Sequence, residues 1–276
     1  MNLPAAKNAW VIGGAGFLGA AVVACCRAAG WRVLVVDPAC VPAEHALRAE
    51  AAAPGTAAQA AQRLSPPHVI YFCASTRGGD AAAYRRTYVQ PVLQATAAAP
   101  GAHPVFCSSC SVYADGGVVT EQSPTPGATE QQRALLEAES AVLRAGGAVA
   151  RLAALYGPGR CELLRRHLAG EPCLAGEPGR ILNYVHVQDA ARALLLLAGT
   201  SGVYNVCAET FTKAEAYATL ARLTGLAPSE QSAQAARRGS ANHRILAQRL
   251  RSELAWAPQV TFHHFVEKHI QSANNE

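Results

Sequence analysis

Three glycines spaced three residues apart mark the most chemically suggestive segment of the chain, Val11-Ile12-Gly13-Gly14-Ala15-Gly16-Phe17-Leu18-Gly19. The apolar residues before it read as a strand and Ala20 to Ala29 as a helix, so the glycines form a strand-to-helix turn. Such a turn suits a pyrophosphate. Gly13 permits the sharp reversal, Gly16 lets backbone approach the phosphates, and Gly19 lets helix and strand pack closely, while the helix N-terminus faces the phosphates and Phe17 and Leu18, between the glycines, are expected among the cofactor contacts. Asp37 ends the next strand, 18 residues after Gly19, where a carboxylate can bind both hydroxyls of a ribose. The same charge repels a 2′-phosphate. NAD is therefore the expected ligand in preference to NADP, and a glycine turn that merely packs a nonbinding sheet is the bland alternative.

A second polar cluster, Cys107-Ser108-Ser109-Cys110-Ser111, follows an apolar run. Its serines can hydrogen-bond a ligand at a strand end or simply cap the loop. The Cys107–Cys110 spacing resembles a redox motif, but no second pair accompanies it, and the thiols read as small buried residues. The sequence contains nine cysteines, without paired metal-ligand spacing. His263, His264 and His269 fall in an amphipathic final helix, and no metal is expected.

The elements that must hold these residues alternate. Val11-Ile12, Val33 to Val36, Val69 to Cys73 and Val105 to Cys107 are short β-branched runs separated by helical stretches, the pattern of a parallel sheet. Helices are expected at Ala81 to Ala98 and Thr129 to Ala145, and another strand from Ala148 to Leu155. Pro42 to Leu64 reads as two short helices, or as one helix with a vestigial strand at Glu50 to Ala53. Beyond Tyr156, breaks at Gly157 to Gly159, Glu171-Pro172 and Glu177 to Gly179 separate shorter elements. Val203 to Val206 reads as a strand, and Thr212 to Gly225 as a helix opened by a threonine cap. The expected architecture is a doubly wound α/β fold. Residues 1–156 form the dinucleotide domain, part of 184–206 returns to it, and 157–276 form a small interleaved lid over the carboxyl ends of the strands.

Composition narrows the functional classes. Half of the residues are hydrophobic and 16% charged, which fits a packed globule. The net charge of +5 is scattered, with no basic run longer than two residues, so no nucleic-acid partner is expected. Neither a membrane span nor a signal peptide is legible, and a cytoplasmic location is expected. A small molecule is the expected partner, and a homodimer is open.

With these motifs in place, the chain resembles the extended short-chain dehydrogenases, the group that contains nucleotide-sugar epimerases and dehydratases. Nearly the whole chain takes part, through Gly13 to Gly19, Val69 to Ser75, FCSSCSVY at Phe106 to Tyr113, RLAALYGPG at Arg151 to Gly159, YVHVQD at Tyr184 to Asp189, GVYNV at Gly202 to Val206, and ELAWAP at Glu253 to Pro258. The resemblance implies cofactor contacts by Cys73, Ala74, Ser75 and Ser108. It places Ser109 on the family's catalytic Ser/Thr, with Cys110, Ser111, Asn183 and Tyr184 toward substrate. His186 is expected to be a buried, satisfied histidine, Asp189 to cap the following helix, and Asn242 and Arg244 to line the lid or lie at the surface.

The family's catalytic Tyr and Lys, four residues apart, fall on Thr129 and Arg133, and Glu137 follows as the family's helix Glu does. The only lysines are Lys7, Lys213 and Lys268, so no shift of register recovers the pair. A guanidinium holds its proton at neutral pH and threonine is a poor acid. Arg133 is left to hold the nicotinamide ribose, and Tyr113 is the nearest surrogate phenol. Tyr88 and Ala154 also replace asparagines usual in the family, and Leu182 stands where an arginine is common. The chain thus resembles an atypical, Tyr-deficient subgroup. Two functions follow from that resemblance. One is an NAD-dependent oxidoreductase or epimerase acting on a small polar metabolite without the Tyr–Lys relay. The other is a catalytically silent NAD-binding sensor or partner protein.

Overall fold

The computed structural model describes residues 7–41, 43–76, 78–171, 178–227 and 242–273. The break at Glu171-Pro172 and the residue Glu177 fall wholly or partly outside them. In chain order the first elements are β1 (Asn8–Ile12), α1 (Phe17–Ala28), β2 (Arg32–Val36), β3 (Ala46–Leu47), α2 (Thr56–Arg63), β4 (Val69–Phe72), α3 (Ala81–Tyr84) and α4 (Gln90–Ala98). They continue with β5 (His103–Ser109), β6 (Val118–Val119), α5 (Glu130–Arg144), β7 (Ala148–Leu152), β8 (Ala154–Tyr156) and α6 (Glu162–Leu168). The last are β9 (Ile181–His186), α7 (Val187–Leu196), β10 (Gly202–Val206), β11 (Glu209–Thr212), α8 (Lys213–Thr224), β12 (Arg244–Ile245), α9 (Gln248–Leu254) and α10 (Phe262–Ala273).

Seven strands form one sheet in the order β10-β7-β5-β4-β1-β2-β3. The pairings β1–β2, β1–β4, β4–β5, β5–β7 and β2–β3 are all parallel. This is a doubly wound Rossmann sheet, and its order reverses beside β1, where such folds bind ligands. Covered on both faces, its strands are apolar almost without interruption: Ala9, Trp10, Val11 and Ile12 are all buried, as are Val69 to Phe72. On one face Trp10, Leu34, Ile70, Phe72 and Phe106 pack with Val92, Leu135 and Val142 of the helices.

Two compact units divide the chain. The first comprises the residues up to Val112, Thr125–Leu152 and the returning segment Ala190–Tyr204. The second comprises Tyr113–Pro124, Ala153–Asp189 and the residues from Asn205 onward. Its three-stranded sheet pairs β9 in parallel with β8 and antiparallel with β11. Its own core gathers Tyr156, Leu163, Leu164, Tyr217, Leu220, Phe262 and Val266.

Several expectations need correction. Helix α1 begins at Phe17, so Gly19 lies inside it. The short extra strand is Ala46–Leu47, whereas Glu50 to Ala53 is a turn closed by Ala53 N donating to Glu50 O at 3.0 Å. The strand expected from Ala148 to Leu155 changes sheets at Ala153, with β7 in the large sheet and β8 in the small one. Every residue there except Arg151 is apolar, so periodicity does not mark the break. The helix expected at Ala81 to Ala98 is continuous but widens into a π-helical turn at Arg85–Val89. Pro91 follows, and it lacks an N–H and crowds the carbonyl four residues back, which the wider turn relieves. Asp189 is the third residue of α7, and its two carboxylate oxygens reach out of the helix to accept Gln259 N and Val260 N, each at 3.0 Å. The buried charge therefore fixes the segment that leads into α10. The threonine cap holds, with Thr212 and Glu215 forming a capping box and Gly225 closing the helix at φ 71°.

Candidate functional site

Contacts explain each glycine of the turn. Gly13 has φ +80°, and a Cβ there would lie 2.4 Å from Ala74 N and 2.8 Å from Cys73 C. A Cβ on Gly19 would lie 2.0 Å from Gly13 O, so this glycine lets the helix pack onto the turn. The close approach to a neighbouring strand belongs to Gly14, whose Cβ would meet Val35 Cγ1 at 2.9 Å. Gly14 lay within the motif without a role, because its neighbour is on β2. Gly16 is the N-cap of α1; no side chain caps that end and no acidic residue occupies its first turn. The helix, which begins Phe17-Leu18, thus turns a positive end without an acidic neighbour of its own toward the glycine turn.

Asp37 is 8% exposed. Its Oδ2 accepts Ala15 N at 3.1 Å and its Oδ1 accepts Ala39 N at 2.8 Å. One carboxylate thereby braces the glycine turn, and each oxygen keeps a lone pair for a ribose hydroxyl. The segment Cys73-Ala74-Ser75 leaves β4 directly against Gly13, with Cys73 N donating to Ile12 O at 2.8 Å. The cradle therefore fits a dinucleotide: a close-approach turn, an uncapped helix end and an acid at the end of β2.

The serine cluster ends β5. Ser109 Oγ accepts Ser111 N at 3.1 Å, which leaves the hydroxyl proton for another acceptor. Ser111 O in turn accepts Gln132 Nε2 at 2.8 Å. Gln132 also completes a capping box with Thr129, whose Oγ1 accepts Gln132 N at 3.1 Å. The structure thus joins the Ser109–Ser111 loop to the start of α5, which carries Thr129 and Arg133. Gln132 was missed, although Thr-x-x-Gln before an apolar helix is a legible signal. Arg133 is half-exposed, donates to Gly127 O at 2.7 Å and pairs with Glu130.

Other expected site residues are already committed elsewhere. Ser108 Oγ donates to Glu139 Oε1 at 2.6 Å in the interior, so its hydroxyl is a structural donor. The Cys110 thiol is buried and donates to Arg151 O at 3.2 Å. Tyr113 belongs to the second unit, is 1% exposed, and donates to Asn205 Oδ1 at 2.7 Å. A phenol so placed cannot serve as a surrogate acid without losing that bond. Tyr113→Phe is expected to cost about 1 to 3 kcal/mol in urea unfolding, because it strands the buried amide oxygen. A change within about 0.5 kcal/mol, as at an ordinary surface position, would return Tyr113 to the catalytic candidates.

Asn183, expected at substrate, spends its amide on the fold: Nδ2 donates to His243 O at 2.8 Å, and Oδ1 accepts Thr210 Oγ1 at 3.1 Å and Ile245 N at 2.9 Å. Tyr184 stacks on Phe211 with ring centres 5.5 Å apart, and burial raises its phenol pKa, which keeps it a donor. His186 is buried against Tyr156, and its Nδ1 accepts Gln188 N at 3.3 Å. Asn242 Oδ1 accepts Ile181 N at 2.8 Å, and Arg244 is exposed on β12. Among the described residues, no group of three or more His, Cys, Asp or Glu could hold a metal. No helix among them is long and apolar enough to cross a membrane.

Residues 9–207 match the model of the NAD dependent epimerase/dehydratase family. No curated protein matches the chain. Among solved structures, MoeE5 in complex with UDP-glucuronic acid and NAD is similar at 24% identity, with a TM-score of 0.83 over 97% of this chain and 99% of that one. The UDP-glucose 4-epimerase of Thermus thermophilus in complex with NAD is 22% identical, with a TM-score of 0.80 over 96% and 99%. WbmG of Bordetella bronchiseptica, in complex with NAD and UDP, is 18% identical, with a TM-score of 0.83 over 98% and 96%. At these identities the likeness is one of fold.

Proposed function

From the chain's membership of the NAD dependent epimerase/dehydratase family, to which residues 9–207 assign it, we propose that it binds NAD at Gly13 to Gly19 and acts on a small polar metabolite as an oxidoreductase or epimerase, in the cytoplasm, without a Tyr–Lys proton relay. The observation that carries this reading is the cradle in which a Cβ on Gly13 would lie 2.4 Å from Ala74 N, beside an uncapped helix end and Asp37. Bound there, NAD supplies or takes up a hydride. Residues of the chain do the rest. The N–H groups at the start of α1 hold the pyrophosphate, and Asp37 holds the ribose hydroxyls. Ser109 donates its remaining proton in a hydrogen bond to the substrate oxygen, where charge develops. Arg133 sits one residue beyond Gln132, which is tied to Ser111, and is assigned to the cofactor side. The proton comes from a substrate group or a held water.

A silent NAD-binding role is the second reading. It is favoured by the cap duty of Thr129 and by the pairing of Arg133 with Glu130. Substrate-dependent change in nicotinamide absorbance separates the two: a response to any secondary alcohol or matching ketone supports the enzyme, and tight NAD binding without turnover supports the sensor.

Titration of both cofactors tests the site itself. NAD is expected to bind more tightly than NADP, and Asp37→Ala to narrow or reverse the preference. Losing a buried hydrogen bond to a charged group costs about 1.5 to 3 kcal/mol, roughly 10- to 100-fold in affinity. Equal affinities in the unaltered protein, or a preference for NADP, would remove Asp37 from the ribose site.

A further inference from the structure

Cys107 opens the Cys107–Cys110 spacing, yet its neighbour in space is Cys73. Their sulfurs are 3.6 Å apart, while the Cys110 thiol donates to Arg151 O. Register produces the contact. Phe72 of β4 stands beside Phe106 of β5 in a parallel pair, so the next residues, Cys73 and Cys107, lie side by side and face the same way. Neighbouring strands run about 4.8 Å apart, within the roughly 4.4 to 6.8 Å between Cα atoms that a disulfide bridges. Both cysteines are buried, and the hydrogen bond between them, then burial, raises the Cys73 thiol pKa. No covalent bond joins the two sulfurs in this structure.

Cys73 also adjoins the glycine turn. Cys73 C and Ala74 N would lie 2.8 and 2.4 Å from a Cβ on Gly13, so the two stretches of backbone touch without slack. We propose that Cys73 and Cys107 form a reversible disulfide under a small hydroperoxide, and that this bond weakens dinucleotide binding at the turn. The coupling rests on reading Gly13 to Gly19 as the NAD site.

The chemistry balances. One sulfur, as thiolate, attacks a peroxide oxygen; the O–O bond breaks, and hydroxide leaves and is protonated to water. The second sulfur then attacks the resulting sulfenic sulfur, the S–S bond forms and a second water departs. Two thiols lose two electrons and two protons, and one hydrogen peroxide becomes two waters. The sulfurs must close from 3.6 Å to about 2.05 Å, which draws on the Cys73 backbone and through it on Gly13. By linkage, bound NAD must oppose the bond by the same factor.

The test uses the whole chain and hydrogen peroxide, read by peptide mapping and by NAD titration. A Cys73–Cys107 cross-linked peptide two hydrogens lighter than the reduced pair is expected, with its formation retarded by saturating NAD. NAD affinity is expected to fall by about tenfold or more and to return with dithiothreitol. Affinity in Cys107→Ala, or in Cys73→Ala should the first variant not fold, is expected to be the same before and after peroxide. A cross-link between other cysteines, a sulfenic or sulfinic acid without a cross-link, or unchanged NAD affinity in the cross-linked protein would overturn the proposal. If the reduced protein fails to bind NAD, the cofactor reading falls and the coupling with it, while the peptide map still judges the disulfide.

Discussion

Glu139→Gln is expected to destabilise the protein by about 3 to 5 kcal/mol, the cost of removing one partner from a buried ion pair. Glu139 on α5 and Arg151 on β7 are 3% and 6% exposed. Their contact is two-pronged: Arg151 Nε lies 3.0 Å from Oε1 and Nη2 lies 2.6 Å from Oε2. Ser108, paired with Arg151 across β5 and β7, adds its hydroxyl to the same carboxylate. Neutralising Glu139 removes the carboxylate charge that faces the buried guanidinium. Because whole domains are stable by only about 5 to 15 kcal/mol, the variant should show a much lower urea midpoint at an unchanged slope. The double variant Glu139→Leu, Arg151→Met should recover most of the loss, since buried pairs often add little over apolar packing. A loss below about 1 kcal/mol in Glu139→Gln, or a double variant no better than the single, would show that the pair is not carried as a desolvated charge.

That network illustrates what a linear reading misses. Arg151 is legible as a charged residue in an apolar strand, but its partner sits on the preceding helix, and neither strand nor helix periodicity links the two. Cys107 was legible as half of a Cys-x-x-Cys spacing, whereas its contact with Cys73 depends on the parallel register of β4 and β5. Asn183 and Asp189 have the types and places of ligand-binding and capping residues. Their partners, His243, Ile245, Gln259 and Val260, lie some 60 to 70 residues further along and could not be paired without the fold. The glycine turn, Asp37 and the cap at Thr212 were legible because their causes are local. A positive φ, a short βα turn and a side chain reaching three residues ahead are properties of a few consecutive residues.

Ser109→Ala is expected to lower turnover by about 10²-fold or more, and Thr129→Val to leave it within a few-fold, on any secondary alcohol or ketone that the protein turns over. Hydride transfer to a carbonyl leaves an alkoxide, and the group that donates to that oxygen stabilises the charge as it develops. Ser109 Oγ already accepts Ser111 N, so its proton is left to another acceptor, which under the proposed function is the reacting oxygen. Thr129 is placed differently. Its Oγ1 accepts Gln132 N as the cap of α5, so Thr129→Val should cost about 1 kcal/mol of stability, while Thr129→Ser, which keeps the cap, should cost little of either. Arg133→Ala should weaken NAD binding and leave the pH profile of turnover in place, because a guanidinium does not exchange protons at neutral pH. Turnover against pH for all four variants, beside their urea midpoints, separates cap loss from chemistry. A positioned general acid contributes about 10²- to 10⁴-fold, so a drop of that size in Thr129→Val with normal turnover in Thr129→Ser would restore position 129 to the proton relay.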